Sequence, residues 1–409
     1  GNYQTQVTLN FTHALAKVRI TPSDDALGEV QSLQLYTYTQ CTYEKGNAGQ
    51  GSQEGWIEMK KCEYTENGTT ITCWEANVVP GYEIKQLRAN GTEERDLSAT
   101  FTPEAGKFYN ITLDKDKGYT DDGHGNYTVT SAEGLKNIAE LVNEEWKLDI
   151  NITLTNNIDL TGIDWTPIGK DDNKAYTGTF DGNGKTITGL TVTRSNRYTG
   201  LFGFIKGTVK NVVLTEVNIT SGTFVGGVAG WSFGGNIENC SVSGSVSGSS
   251  GSDVGGVVGY QQVGSITGCS SSATVKGTER AGGVVGVTNG GTTPLTACYA
   301  TGNVTVENDG TSNAWAGGIV GMNGTGTLIA CYAAGNVSGN IVGGAVGVNY
   351  ATVTACYWSG LPDNDNGGAT KVDGTTVTWQ NAVDAMNNAL NGSGWQYELT
   401  GALPTLKKQ

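Results

Sequence analysis

With 409 residues, 62 Gly, only 7 Pro and a formal charge of -14, the chain is long enough for roughly two to three domains with cores of their own, and its Pro plus Gly content is too low for a disordered low-complexity polymer. The balance of 39 Asp and Glu against 25 Lys and Arg, with no local basic cluster, excludes the counterion release that drives nucleic-acid binding. No apolar run approaches the ~18 residues of a membrane span, and the start Gly1-Asn2, without initiator Met or apolar signal core, gives the expectation of a soluble, processed or trimmed protein.

Residues 1–116 hold 10 Gly and 26 charged side chains, an ordinary globular mixture. Val7/Leu9/Phe11, Ala16/Val18/Ile20, Leu33/Leu35, Ile71/Cys73, Ile84/Leu87 and Tyr109/Ile111/Leu113 alternate with polar neighbours, which predicts short strands packed as an antiparallel β-sandwich. The opening Leu9-Asn-Phe-Thr-His-Ala-Leu-Ala-Lys-Val-Arg-Ile20 and the closing Phe101-Thr-Pro-Glu-Ala-Gly-Lys-Phe-Tyr-Asn-Ile-Thr-Leu113 resemble the fimbrillin-like family of bacterial surface proteins. That resemblance implies export, attachment to the outer membrane through an N-terminal lipoprotein segment, and fimbrial subunits as partners. The polar, Gly-rich residues 117–130 read as a linker.

From 131 to 146, Leu135, Ile138, Leu141 and Val142 lie on one helical stripe behind Ser131 as N-cap, the pattern of a capping helix. Beyond it the composition changes: residues 221–360 hold 33 Gly and only seven charged side chains, Glu238, Asp253, Lys276, Glu279, Arg280, Glu307 and Asp309. VGGVAG (225–230), VGGVVG (254–259), AGGVVG (281–286), AGGIVG (316–321) and VGGAVG (342–347) recur, each followed by Cys240, Cys269, Cys298, Cys331 or Cys356, with Gly200 to Gly203 as a degenerate earlier copy. Such a period means stacked supersecondary units. Alternation after each Cys puts Cys298 and Ala300 on one face and Tyr299 on the other. The predicted fold is therefore a parallel β-solenoid with rungs about 4.8 Å apart. A second amphipathic stripe, Val383, Met386 and Leu390, predicts a matching cap at the far end within 361–409. The fold class is all-β throughout, a sandwich followed by a solenoid with short capping helices.

The block Ile152 to Gly169, then Gly178-Thr-Phe-Asp-Gly-Asn-Gly-Lys-Thr-Ile187, then the repeats, resembles the GLUG-repeat family of bacterial surface proteins over roughly 130–360. Its members occur in adhesin-like proteins and beside immunoglobulin-cleaving peptidases. The resemblance therefore implies a cell-surface or extracellular location more than any reaction.

Catalysis needs convergent titratable groups, and the only histidines are His13, in an apparent strand, and His124, in the apparent linker. Seven charges over six repeats, with no two in the same repeat column, do not make the Asp/Lys/Arg cluster of a solenoid lyase or hydrolase, so the expectation is no enzyme and no cofactor. Asp114-x-Asp116-x-Gly118 and Asp363-x-Asp365-x-Gly367 begin like calcium loops but lack the closing Glu, and no Cys/His spacing suits zinc, so no metal site is expected. Stacked one per rung, the five repeat cysteines sit too far apart to pair readily and read as buried reduced thiols. Two features could bind something. One is an insertion near 303–315 carrying Glu307, Asp309 and Trp315; the other is an outward aromatic ladder of Tyr299, Tyr332 and Tyr357. The expected partner is a host or bacterial surface glycan or protein. A carbohydrate-active solenoid enzyme and a purely structural stalk are the alternatives.

Overall fold

In the computed structural model, which describes residues 14–44, 47–193, 197–249, 251–291, 293–307 and 314–409, alternation decides the first unit. Ala16, Val18 and Ile20 are fully buried along the strand Ala16–Pro22, while Lys17 and Arg19 between them each reach Glu75 at 2.6 Å. That strand runs antiparallel to Thr69–Val78, which pairs in turn with Lys60–Glu66, and parallel to Phe108–Leu113. A second four-stranded sheet, entirely antiparallel, orders Asn47–Glu58, Leu33–Glu44, Ile84–Ala89 and Glu93–Phe101. Val18, Ile20 and Trp74 of one sheet share an apolar core with Leu33, Leu35, Ile84 and Leu87 of the other. The departure from a purely antiparallel arrangement is the pairing of the first and last strands of this unit among the described residues, side by side and parallel; Val7, Leu9 and Phe11 lie outside the described residues. His13 lies outside the described residues.

The chain divides into two units, Gly1–Asp116 and Lys117–Gln409. Residues 117–130, expected to link domains, instead open the second. Tyr119–Asp121 and Asn126–Val129 form an antiparallel hairpin, and the latter strand pairs parallel with Asn151–Leu154. What reads as linker is the hairpin turn: the Asp122 carboxylate accepts from the backbone N–H of His124 and of Asn126, at 2.8 and 3.1 Å, between Gly123 and Gly125 with φ of 76° and 82°.

From there the chain winds a parallel β-solenoid. A ten-stranded sheet runs from Tyr119–Asp121 to Thr352–Thr354, a second sheet carries the strand after each Cys, and two six-stranded sheets carry the strands on either side of each Gly-Gly. Register is kept from rung to rung: Ile237, Ile266, Leu295 and Leu328 stack in one column, and Val225, Val254, Ala281, Ala316 and Val342 in another. All eight cysteines are free, and the five of the repeats are buried, each sulfur 3.3–3.5 Å from the carbonyl two residues upstream. In front of this column stands a left-handed residue in each rung, Asn211, Asn239, Gly268, Ala297, Ala330 and Ala355, with φ from 48° to 65°. Asn tolerates that conformation and Ala does so at a cost of about 1 kcal/mol. The change from Asn to Ala therefore asks for a reason.

The reason lies in the C-terminal segment. The near end of the solenoid is closed as expected, by α2 (Ala132–Asn143), the second helix after the single turn α1 (Asp24–Leu27). Ser131 caps α2 by accepting from the Gly134 N–H at 3.1 Å, and buried Asn143 at its other end bonds the Pro167 carbonyl and the N–H groups of Gly169 and Lys170. The far end is closed differently from the prediction. The Asp365 carboxylate accepts from the N–H groups of Ala345, Val346, Gly367 and Ala369, while the Asn364 carbonyl accepts from Gly344 N–H. The apparent calcium loop is thus a cover for the last rung's free backbone donors. The helix α3 (Trp379–Ala389), capped by Thr378 and Asn381, and the hairpin Trp395–Glu398/Thr405–Lys408 turn back along the flank. There Met386, Trp395 and Tyr397 form a core of their own with Ala297, Ala330 and Tyr332. An Asn at 297 or 330 would occupy this arm's place. The arm reaches back as far as Glu238, which pairs with Lys408 at 2.6 Å.

Candidate functional site

The tyrosine column points away from the solenoid core, and the arm then covers most of it. Tyr299 and Tyr332 stack with centroids 5.0 Å apart and planes 1° from parallel. Trp379 and Tyr397 pack edge-on against Tyr332 at 5.1 and 5.7 Å, and its hydroxyl donates to the Pro404 carbonyl at 2.6 Å. Tyr332 is only 1% exposed, and burial pushes its phenol well above the ordinary range. Tyr357 is half-buried against the same cluster. The free outward ladder expected from the sequence is therefore corrected for Tyr332: its outer surface is already occupied by the chain itself.

Tyr299 is different. Its register partner on the side away from Tyr332 is Ser270, and Ser241 follows in the next rung. The ladder stops there, and the second ring face of Tyr299 looks over small side chains. Two contiguous grooves of about 360 and 150 Å³ result, sharing Tyr299, Val213, Ser241 and Ser270. The larger has a floor of Thr215, Ser243, Ser272 and Thr301 and a wall of Leu403 and Pro404; the smaller is lined by Asn211, Asn239, Trp395 and Leu406. Asn239 donates to the Asn211 side-chain oxygen at 2.8 Å, and Asn211 donates to Asp181 at 2.9 Å. Among the described residues no charged side chain lines either groove. Trp395 is the hinge pin of this arrangement, since its ring lies where a Cβ on Gly268 would stand, 2.3 Å away. We expect Trp395→Ala to free the arm while leaving the rungs intact, so that limited proteolysis gains cuts within 391–409 and the remaining core stays resistant.

Among the described residues of the insertion, no site forms around Glu307 and Trp315. Glu307 is exposed and paired with Lys276 at 2.6 Å, Asp309 lies outside the described residues, and half-buried Trp315 begins the strand Trp315–Gly317. What Trp315 does join is a column that sequence reasoning missed. The residues immediately before each Gly-Gly motif stack in register as Tyr198, Phe224, Asp253, Arg280, Trp315 and Ile341. The expectation that no two charges share a repeat column is thus overturned by Asp253 and Arg280, which form an ion pair at 2.5 Å. Opposite them Phe204, Trp231 and Tyr260 stack, the last two rings 4.3 Å apart, and close the outer angle between the six-stranded sheets. Asp253 is fully buried with one carboxylate oxygen unpartnered, and burial outweighs Arg280 to push its carboxyl up to about 7. Aligning the repeats on Gly-Gly instead of Cys would have exposed the pair.

In the first unit, Cys62, Cys73 and Glu75 bring three ligand-type atoms within 4.8 Å of one another, the one such group among the described residues. Both Glu75 oxygens are held by Lys17 and Arg19, and the cluster serves as part of a sheet surface. His124 stands exposed in its turn.

Comparison with known proteins agrees with the solenoid. The GLUG motif is present. Its family model matches residues 221–247 and 250–276, two successive rungs. Over 243 residues, 54% of this chain, the sequence is 32% identical to halomucin of Haloquadratum walsbyi, and over 124 residues, 28% of this chain, it is 36% identical to a candidate Gly-rich membrane protein of Evansella cellulosilytica. The matched region spans only 3% and 14% of those two proteins. A candidate immunoglobulin A1 protease from Bacteroides ovatus is similar in structure, with a TM-score of 0.56 at 20% identity, covering 70% of this chain and 93% of that one, which shows a shared fold.

Proposed function

We propose that this chain belongs to a surface-exposed protein that acts by noncovalent, adhesin-like binding through the flank of its solenoid. The first unit, fimbrillin-like in its terminal motifs, would serve attachment or assembly into fimbriae. One observation carries the reading: the tyrosine ladder ends in an uncharged groove, walled by a free ring face, on a rod whose stacked rungs hold it rigid. The names of halomucin and of the Gly-rich membrane protein agree with a surface location. Among the described residues no helix is long and apolar enough to cross a membrane, so attachment through such a helix would need a segment outside them.

The test is an array of host glycans and extracellular-matrix proteins, probed with the whole chain and with residues 117–409. Saturable binding by both is the expected result and locates the adhesive surface on the solenoid. Binding by neither would replace the adhesive reading with that of a ligand-free stalk. The enzyme alternative has its own readout, since the structural neighbour is named for immunoglobulin A1 cleavage. Incubation with immunoglobulin A1 or with acidic and neutral polysaccharides should leave them intact, and any turnover would count against binding as the whole function.

A further inference from the structure

Resting on that reading, we propose that the paired grooves at Tyr299 bind an uncharged saccharide, with one pyranose seated on the free face of the Tyr299 ring and its hydroxyls on the Ser/Thr floor. The chemistry of the lining selects this class. Charged ligands gain nothing here, because among the described residues neither groove presents a charged side chain. A wholly apolar ligand would strand the floor: the side-chain hydroxyls of Ser241, Ser270 and Ser272 have no hydrogen-bond partner among the described residues, and covering them without partners costs about 1–3 kcal/mol each. The occupant must therefore offer a flat C–H face on one side and a rim of groups that both donate and accept on the other. A pyranose ring has that distribution. The aromatic wall is preorganised, because Tyr332 holds the back of the Tyr299 ring in a parallel stack and is itself pinned by its bond to the Pro404 carbonyl. At about 360 and 150 Å³ the grooves suit one or two sugar rings, so the segment recognised is short.

The register supplies a selective test. Ser270 sits directly opposite Tyr299, so Ser270→Tyr extends the ladder by one rung and fills the groove with the same stacking that already joins Tyr299 to Tyr332. Tyr299→Leu keeps apolar bulk and removes the flat face. Calorimetric titration of the whole chain with cellotetraose, mannotetraose, galactotetraose and chitotetraose, alongside the charged trisaccharide sialyllactose, should show binding by at least one neutral probe. Both variants should weaken that binding about tenfold or more while melting like the parent. No response to any neutral probe, sialyllactose as the tightest ligand, or Ser270→Tyr binding as tightly as the parent would overturn the proposal. If Ser270→Tyr does not fold, Tyr299→Leu decides by the same criterion. Saturable binding to matrix proteins on the array without response to neutral sugars would remove this ligand and leave the adhesive reading standing, whereas an empty array removes both.

Discussion

Gly318→Ala should lower the stability of the solenoid by about 3 kcal/mol, read as a shift of the denaturation midpoint of the whole chain. Gly318 is the second glycine of its motif, and a Cβ there would stand 2.2 Å from the Gly344 carbonyl oxygen and 2.5 Å from the Ala333 Cβ. Neither neighbour can step aside. The carbonyl belongs to the next rung's backbone, and Ala333 is buried against the core between Ala300 and Trp358 of its own column. The same geometry recurs one rung earlier, where a Cβ on Gly283 would meet the Gly318 carbonyl at 2.1 Å and the Ala300 Cβ at 2.5 Å. Successive rungs thus meet backbone to backbone at this corner. Gly401→Ala is the matched control, because nothing lies within 4 Å of a Cβ there, and it should melt with the parent. A Gly318→Ala protein as stable as that control would mean that the rungs do not stack in this register.

That close corner explains which parts of the structure were legible in the sequence. Gly-Gly motifs and cysteines repeat because every rung meets the same two steric constraints, so the solenoid and its inward face could be read from spacing alone. The capping helix at 132–143 carried its own signals, a Ser N-cap and an apolar stripe. The stripe of Val383 and Met386 was equally plain, but a stripe states only that a helix needs a partner. The partner's address was written elsewhere, in the exchange of Asn211 and Asn239 for Gly268, Ala297 and Ala330 at a left-handed position. The polar residues 122–126 misled because a tight hairpin turn and a linker share their composition. The column of Asp253 and Arg280 was hidden by unequal spans between each Cys and the following Gly-Gly, which shift any register counted from the cysteines. Tyr299 was found from alternation, whereas the covering of Tyr332 depended on contacts far along the chain, with Trp379, with Tyr397 and with the Pro404 carbonyl at a sequence separation of 72.

Arg280→Leu should destabilise the solenoid by about 3 kcal/mol at pH 8 and by much less near pH 4.5. The reason is the state of Asp253. Its carboxyl, ordinarily near 3.8, is pushed up to about 7 by burial, with Arg280 opposing the shift and Glu279 adding to it. Between those two values the folded chain holds a proton that the unfolded chain releases. Stability from this group is therefore full below about pH 4, declines as pH rises towards 7 and is flat above. Above 7 the carboxylate survives because the guanidinium sits 2.5 Å from one oxygen. Without Arg280 it must either ionise unpaired in a fully buried position or keep its proton against the solution, and each course costs free energy that grows with pH. Near pH 4.5 the acid is already neutral in the parent, so losing its partner removes little. Asp253→Asn supplies the complementary test: it keeps an acceptor for Arg280, removes the titration, and should flatten the decline between pH 4 and 7 and raise stability at pH 8. Parallel pH profiles for the parent and Asp253→Asn would show that the carboxyl titrates in its ordinary range and that the ion pair, not desolvation, governs this column.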